Sequence, residues 1–142
     1  MYRSILLTVD LNAESSWKKA LPVAMALAKT FGAKLHLMNV VPAIGSGIVA
    51  SYFPEHYEEK MLAEAELQLE RFAKDHIAEG IDYQVHLAHG SIYREVLRVA
   101  DAEGCDLIVM ASHRPELTDY LLGPNAERAV RHASQSVMVV RD

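Results

Sequence analysis

Cysteine is almost missing from this chain. One residue in 142, Cys105, carries a thiol, so no disulfide can close within the molecule, a composition that fits a reducing interior. Long apolar runs are missing as well. Met1-Tyr2-Arg3-Ser4-Ile5-Leu6-Leu7 gives way to Asp10 and a polar stretch with no signal-peptide core, and no uninterrupted apolar run reaches membrane-spanning length. Positive charge is in short supply: 14 Lys and Arg stand against 19 Asp and Glu, a formal net charge of −5 at pH 7. A surface of that sign gives no help in reaching DNA, RNA or an anionic membrane. The 7 glycines and 5 prolines are scattered, so no low-complexity tract, repeat or linker divides the chain. These absences lead us to expect one cytoplasmic domain over 1–142, with neither nucleic acid nor membrane as partner.

What is present is a regular alternation. Hydrophobic residues make up 51% of the chain and charged residues 23%, a globular balance that can bury one substantial core. Five short apolar runs read as strands: Ser4 to Val9, Lys34 to Val41, Asp82 to Leu87, Asp106 to Met110 and Ser136 to Val140. Four helix-period segments lie between them. The first carries Trp17, Leu21, Ala24, Leu27, Ala28 and Phe31, with Pro22 inside it as an expected kink and Gly32 as its stop. The second runs from about Glu55 to Glu79 and its many acids read as a solvated face. The third spans Ile92 to Glu103 behind a candidate N-cap, Ser91, and the fourth Pro124 to Ala133. Strict β-α-β order predicts an α/β fold, a doubly wound and mostly parallel five-stranded sheet with helices on both faces.

In such sheets ligands bind beyond the carboxyl ends of the strands. The loop after the first strand starts at Asp10, and the loop after the second, Pro42 to Pro54, contains Gly45-Ser46-Gly47 with Tyr52 and Phe53 beyond. The loop after the fourth runs from Ala111 to Gly123. The last two exceed what connection needs, and loops of that length often serve function. Re-entry into a helix at Gly123 leaves the N–H groups of Asn125, Ala126 and Glu127 as an anion site, with Ser112, His113 and Arg114 as further donors. Asp10 suits a ribose hydroxyl or a magnesium ion; the same two positions, Asp10 and Gly123, also suit plain turn and helix caps. Of the seven histidines, His86 and His89 point to opposite faces of a strand, and no pair has zinc-site spacing, so no metal site is expected. Ser112-His113 lacks a nucleophile elbow, so no catalytic residue is expected either.

Asp106-Leu-Ile-Val-Met-Ala-Ser-His113, Leu121-Leu-Gly-Pro-Asn-Ala-Glu-Arg-Ala-Val-Arg-His132 and Ser136-Val-Met-Val-Val-Arg141 resemble the carboxyl-terminal signature of the universal stress protein family. The stretch Ser112 to Gly123 is similar to the F/G-type small bacterial members. The resemblance implies a Rossmann-like, adenine nucleotide alpha hydrolase-like fold. It also implies a homodimer paired through the last strand, and a stress-response or regulatory role with an unknown protein partner. In many members it implies a site for ATP, with ADP or AMP as alternatives and magnesium alongside. The positions it places around the nucleotide are Asp10, Val40, Val41, Met110, Ala111, His113, Arg114, Gly123 and Asn125. The family's ATP pattern is Gly, two residues, Gly, nine residues, Gly, then Ser or Thr. Here Ala111 stands at the first glycine, Arg114 near the second and Pro124 at the hydroxyl. Alanine adds a methyl where backbone nears phosphate, arginine adds a charge that can pair with it, and proline removes a hydroxyl and an N–H. Beside the non-catalytic nucleotide binder stand two other readings, a nucleotide-free interaction module and a slow ATPase.

Overall fold

A computed structural model describes residues 1–41, 56–112 and 123–141. Five strands, β1 (Ser4–Val9), β2 (Lys34–Val41), β3 (Tyr83–His89), β4 (Leu107–Ser112) and β5 (Ser136–Arg141), form one sheet in the order β3-β2-β1-β4-β5. Every pairing in it is parallel. Among the described residues four α-helices connect them: α1 (Ala20–Phe31), α2 (Tyr57–His76), α3 (Ile92–Ala102) and α4 (Pro124–His132). A short 3₁₀ turn, Glu14–Ser16, precedes α1.

The apolar runs become strands because both faces of the sheet are covered. In β1 the side chains divide by period two. Ile5, Leu7 and Val9 enter a core with α1 and α2, while Leu6 enters a second core with α3 and α4. Leu35 and Leu37 of β2 and Leu107 and Val109 of β4 join the first layer; Met38, Ile108 and Met110 join the second. Central β1 is buried almost throughout, whereas edge strand β5 alternates exposed and half-buried positions.

Several element ends differ from the sequence expectation. β3 is shifted toward its carboxyl end, Tyr83–His89 in place of Asp82 to Leu87, and β4 continues through Ala111 and Ser112, which pair with Val140 and Arg141. Backbone pairing, not apolar character, sets these ends. α1 starts at Ala20, which leaves Trp17 before the helix, where its ring meets Phe72 edge-on at 5.0 Å. Pro22 therefore falls in the first turn, where a missing N–H costs least, and the expected kink has no cause there. α1 closes on Gly32, whose φ of 63° is the left-handed conformation a glycine cap takes. α2 is shorter than Glu55 to Glu79, α3 and α4 end one residue earlier than expected, and Ser91 caps α3 without its hydroxyl. Instead its carbonyl accepts from the Glu95 N–H at 3.0 Å.

Candidate functional site

The chain leaves β1 for β2 and β3 on one side and returns to β4 and β5 on the other, so strand order reverses between β1 and β4. A crevice must open beyond the carboxyl ends of those two strands. A hollow of about 640 Å³ lies there, within the range of small-ligand sites. Val9 and Asp10 line it from β1 and the turn beyond, Asn39, Val40 and Val41 from β2, Met110 and Ala111 from β4, and Asn125 from α4. α2 closes one side with Met61, Glu64, Ala65 and Gln68, spaced three and four apart as one helical stripe.

Asp10 is held in a tight turn. Its Oδ1 accepts from the Asn12 N–H at 2.9 Å and its carbonyl accepts from the Ala13 N–H at 3.0 Å. The Asp10 N–H donates to Ser16 Oγ at 2.8 Å. Among the described residues Oδ2 takes no hydrogen bond, so the carboxylate serves the turn with one oxygen and keeps the other. On the far side, the Gly123 N–H donates to Ser112 Oγ at 3.1 Å and ties the end of β4 to the start of α4. Gly123 is the N-cap and Pro124 the first helical residue, which has no N–H. The Glu127 N–H bonds the Gly123 carbonyl at 2.9 Å. This corrects the expected trio of free donors: only Asn125 and Ala126 keep theirs, at the positive end of the α4 dipole. The described lining holds two carboxylates, Asp10 and Glu64, and no lysine or arginine.

The match to the universal stress protein family model covers residues 1–141. The chain belongs to the universal stress protein family. Universal stress protein G of Escherichia coli O157:H7 is 32% identical over 143 residues, spanning 99% of this chain and all of that protein. The solved structure of protein MJ0577, a universal stress protein of Methanocaldococcus jannaschii, superposes with a TM-score of 0.74 at 25% identity and covers 100% of this chain and 97% of the other. A universal stress protein solved in complex with cAMP shares the fold, with a TM-score of 0.62 at 22% identity, 99% of this chain and 97% of that one. The Rossmann-like α/β architecture and the likeness to the G-type members therefore hold.

Of the positions that the resemblance to universal stress proteins suggested, the structure brings Asp10, Val40, Val41, Met110, Ala111 and Asn125 together around one hollow. Gly123 stands just outside it as the cap of α4. His113 and Arg114 lie outside the described residues, as do Gly45, Ser46, Gly47, Tyr52 and Phe53. Eight residues, one fewer than the family pattern, separate Arg114 from Gly123. Sequence reasoning missed Asn39 and the α2 stripe. Asn39 had a signal, a polar residue among the apolar ones that end β2. The stripe had none, since Glu64 reads like the other acids of a solvated helix.

Proposed function

We propose that this universal stress protein binds an adenine nucleotide, ATP foremost, in the hollow beyond β1 and β4, and acts as a homodimeric stress-response or regulatory protein without efficient turnover. One observation carries the reading: the hollow sits at the switch point of the sheet and includes the first free N–H of a helix. Val40, Val41 and Met110 offer an apolar wall for a base. Asp10 keeps one carboxylate oxygen for a ribose hydroxyl or for magnesium, and Asn125 and Ala126 supply N–H groups for phosphate. The two carboxylates of the lining make a counter-cation important, and magnesium or the Arg114 side chain fits that need. That a protein of the same fold was solved with cAMP supports the general class of ligand. Among the described residues no helix is long and apolar enough to cross a membrane, in keeping with a cytoplasmic setting.

Thermal unfolding of nucleotide-stripped protein with and without millimolar magnesium-ATP tests this reading. Ligand at about a hundred times its dissociation constant adds roughly 2.7 kcal/mol, several degrees in midpoint at about 2–4 °C per kcal/mol. Asn125→Asp sharpens the test. A carboxylate in the first turn of α4 favours the helix but repels phosphate, so the unliganded midpoint should hold or rise while the ATP-induced shift shrinks. ADP, AMP and cAMP in parallel rank the phosphate requirement. No shift with any nucleotide would leave the interaction module, which Ala111, Pro124 and the absence of lysine or arginine from the described lining favour. Sustained phosphate release would favour the slow ATPase.

A further inference from the structure

Away from the hollow, nearer the amino ends of the strands, three groups with ligand chemistry converge on the α3 face of the sheet. His36 of β2, His86 of β3 and Glu103, the residue that caps α3, each present one ligand atom within 4.8 Å of the other two. His36 Nδ1 and His86 Nε2 are 2.7 Å apart. We propose that His36, His86 and Glu103 form a binding site for a zinc-type divalent metal ion, with a fourth position open to water. This proposal is independent of the nucleotide reading.

The placement is what makes these residues more than a stray contact. His36 is 2% exposed, and it is the one buried polar side chain among the described residues, on the same face of the sheet as Leu6, Met38 and Ile108. An apolar residue would fill that position at less desolvation cost. A simple pair of hydrogen-bonded imidazoles needs no acid beside it, yet Glu103 completes a three-ligand set of the kind that holds zinc with one site open. Two imidazoles and a carboxylate suit zinc and its neighbours better than magnesium or calcium. Burial holds both imidazoles below the ordinary histidine value, helped at His36 by the adjacent His86 and opposed by Glu103, which favours the neutral rings that metal binding needs. One of the two facing nitrogens carries the proton they share and gives it up, by a change of tautomer, when the ion enters. The carbonyl end of α3, beside Glu103, adds the negative pole of its dipole. With bonds of about 2.0–2.1 Å at tetrahedral angles, two nitrogens stand about 3.3 Å apart, so the rings must part by roughly half an ångström. His86 is only half-buried and Glu103 is exposed, which allows that adjustment and gives the ion an entry path. The three residues escape sequence spacing rules because the β2–β3 register, with Gln84 opposite His36 and His86 opposite Met38, makes the two histidines diagonal neighbours, and the docking of α3 brings Glu103 to them.

The test is calorimetric titration of chelator-treated, full-length protein with zinc chloride, alongside cobalt(II) absorption as a report on coordination. One metal per chain and a tetrahedral cobalt spectrum are expected. Glu103→Gln and His86→Gln should each weaken binding by more than the roughly 10–100-fold typical of losing an outer-shell partner. Both changes lie at half-buried or exposed positions, so the variants should keep the circular dichroism of the parent, whereas His36→Gln risks the core. Affinity unchanged in both folded variants would assign the metal to other surface histidines and overturn the proposal, as would absence of stoichiometric binding.

Discussion

At the scale of single residues, the informative positions are those where this chain departs from the ATP pattern of its family. Ala111 is less disruptive than its place in that pattern suggests. It lies within β4, paired with Val140, half-buried, and its methyl packs against the α1–α2 core. Pro124 matters more. It opens α4 with a ring that cannot donate, and the Glu127 N–H is already engaged, so the helix offers two donors where a serine in place of the proline would offer three and a hydroxyl. Pro124→Ser should therefore tighten nucleotide binding. A hydrogen bond to a charged group contributes about 1.5–3 kcal/mol, or at least about tenfold in dissociation constant. The fold should change little, because proline at the first helical position is favoured but not required. Titration calorimetry with magnesium-ATP checks it; equal or weaker binding would mean that phosphate does not approach the start of α4.

At the scale of elements, side chains fasten strand to strand where ladders alone leave ends loose. The Asp106 carboxylate, just before β4, accepts from the Arg3 N–H at 3.0 Å and the Ser4 N–H at 3.1 Å and so clamps the start of β1. The Arg3 bond lies at the surface, where water competes. Asp106→Ala should thus fall at the low end of the roughly 1.5–3 kcal/mol typical for hydrogen bonds to charge, read as a lowered urea midpoint with unchanged slope. The elements also show what a sequence discloses. β1 and β2 were legible to the residue because apolar residues dominate both runs, with only Thr8, His36 and Asn39 inside them. β3 was not, because Gln84, His86 and His89 interrupt its pattern at the sheet edge, and pairing with β2 decides where it ends. Asp10, at a strand's carboxyl end, and Asn125, at a helix start, were legible as neighbours of this hollow from the sheet rule, whereas Val40, Met110 and Ala111 came from the resemblance to universal stress proteins. The α2 stripe and the His36–His86–Glu103 cluster depend on how elements dock and on register, which local pattern does not encode.

At the scale of the whole molecule, the open question is what covers β5. It is an edge strand, with one row of backbone groups unpaired among the described residues, and its outward positions are not the lysines or prolines that usually protect such an edge. Met138 is 36% exposed, and Val130 of the neighbouring α4 is 49% exposed. A second copy meeting β5 across a twofold axis would pair that row and bury these side chains in one step, an isologous contact that closes on itself. The resemblance to universal stress proteins points to the same strand. Val139→Asp tests it severely but puts a charge at a half-buried position, where unfolding and dissociation are hard to separate. Met138→Lys is milder, since a charge on an exposed edge position opposes strand pairing between copies while leaving the monomer core intact. Sedimentation of the parent should show a dimer and Met138→Lys a folded monomer at the same concentration. A dimer of unchanged strength would place the interface elsewhere and leave β5 a free edge.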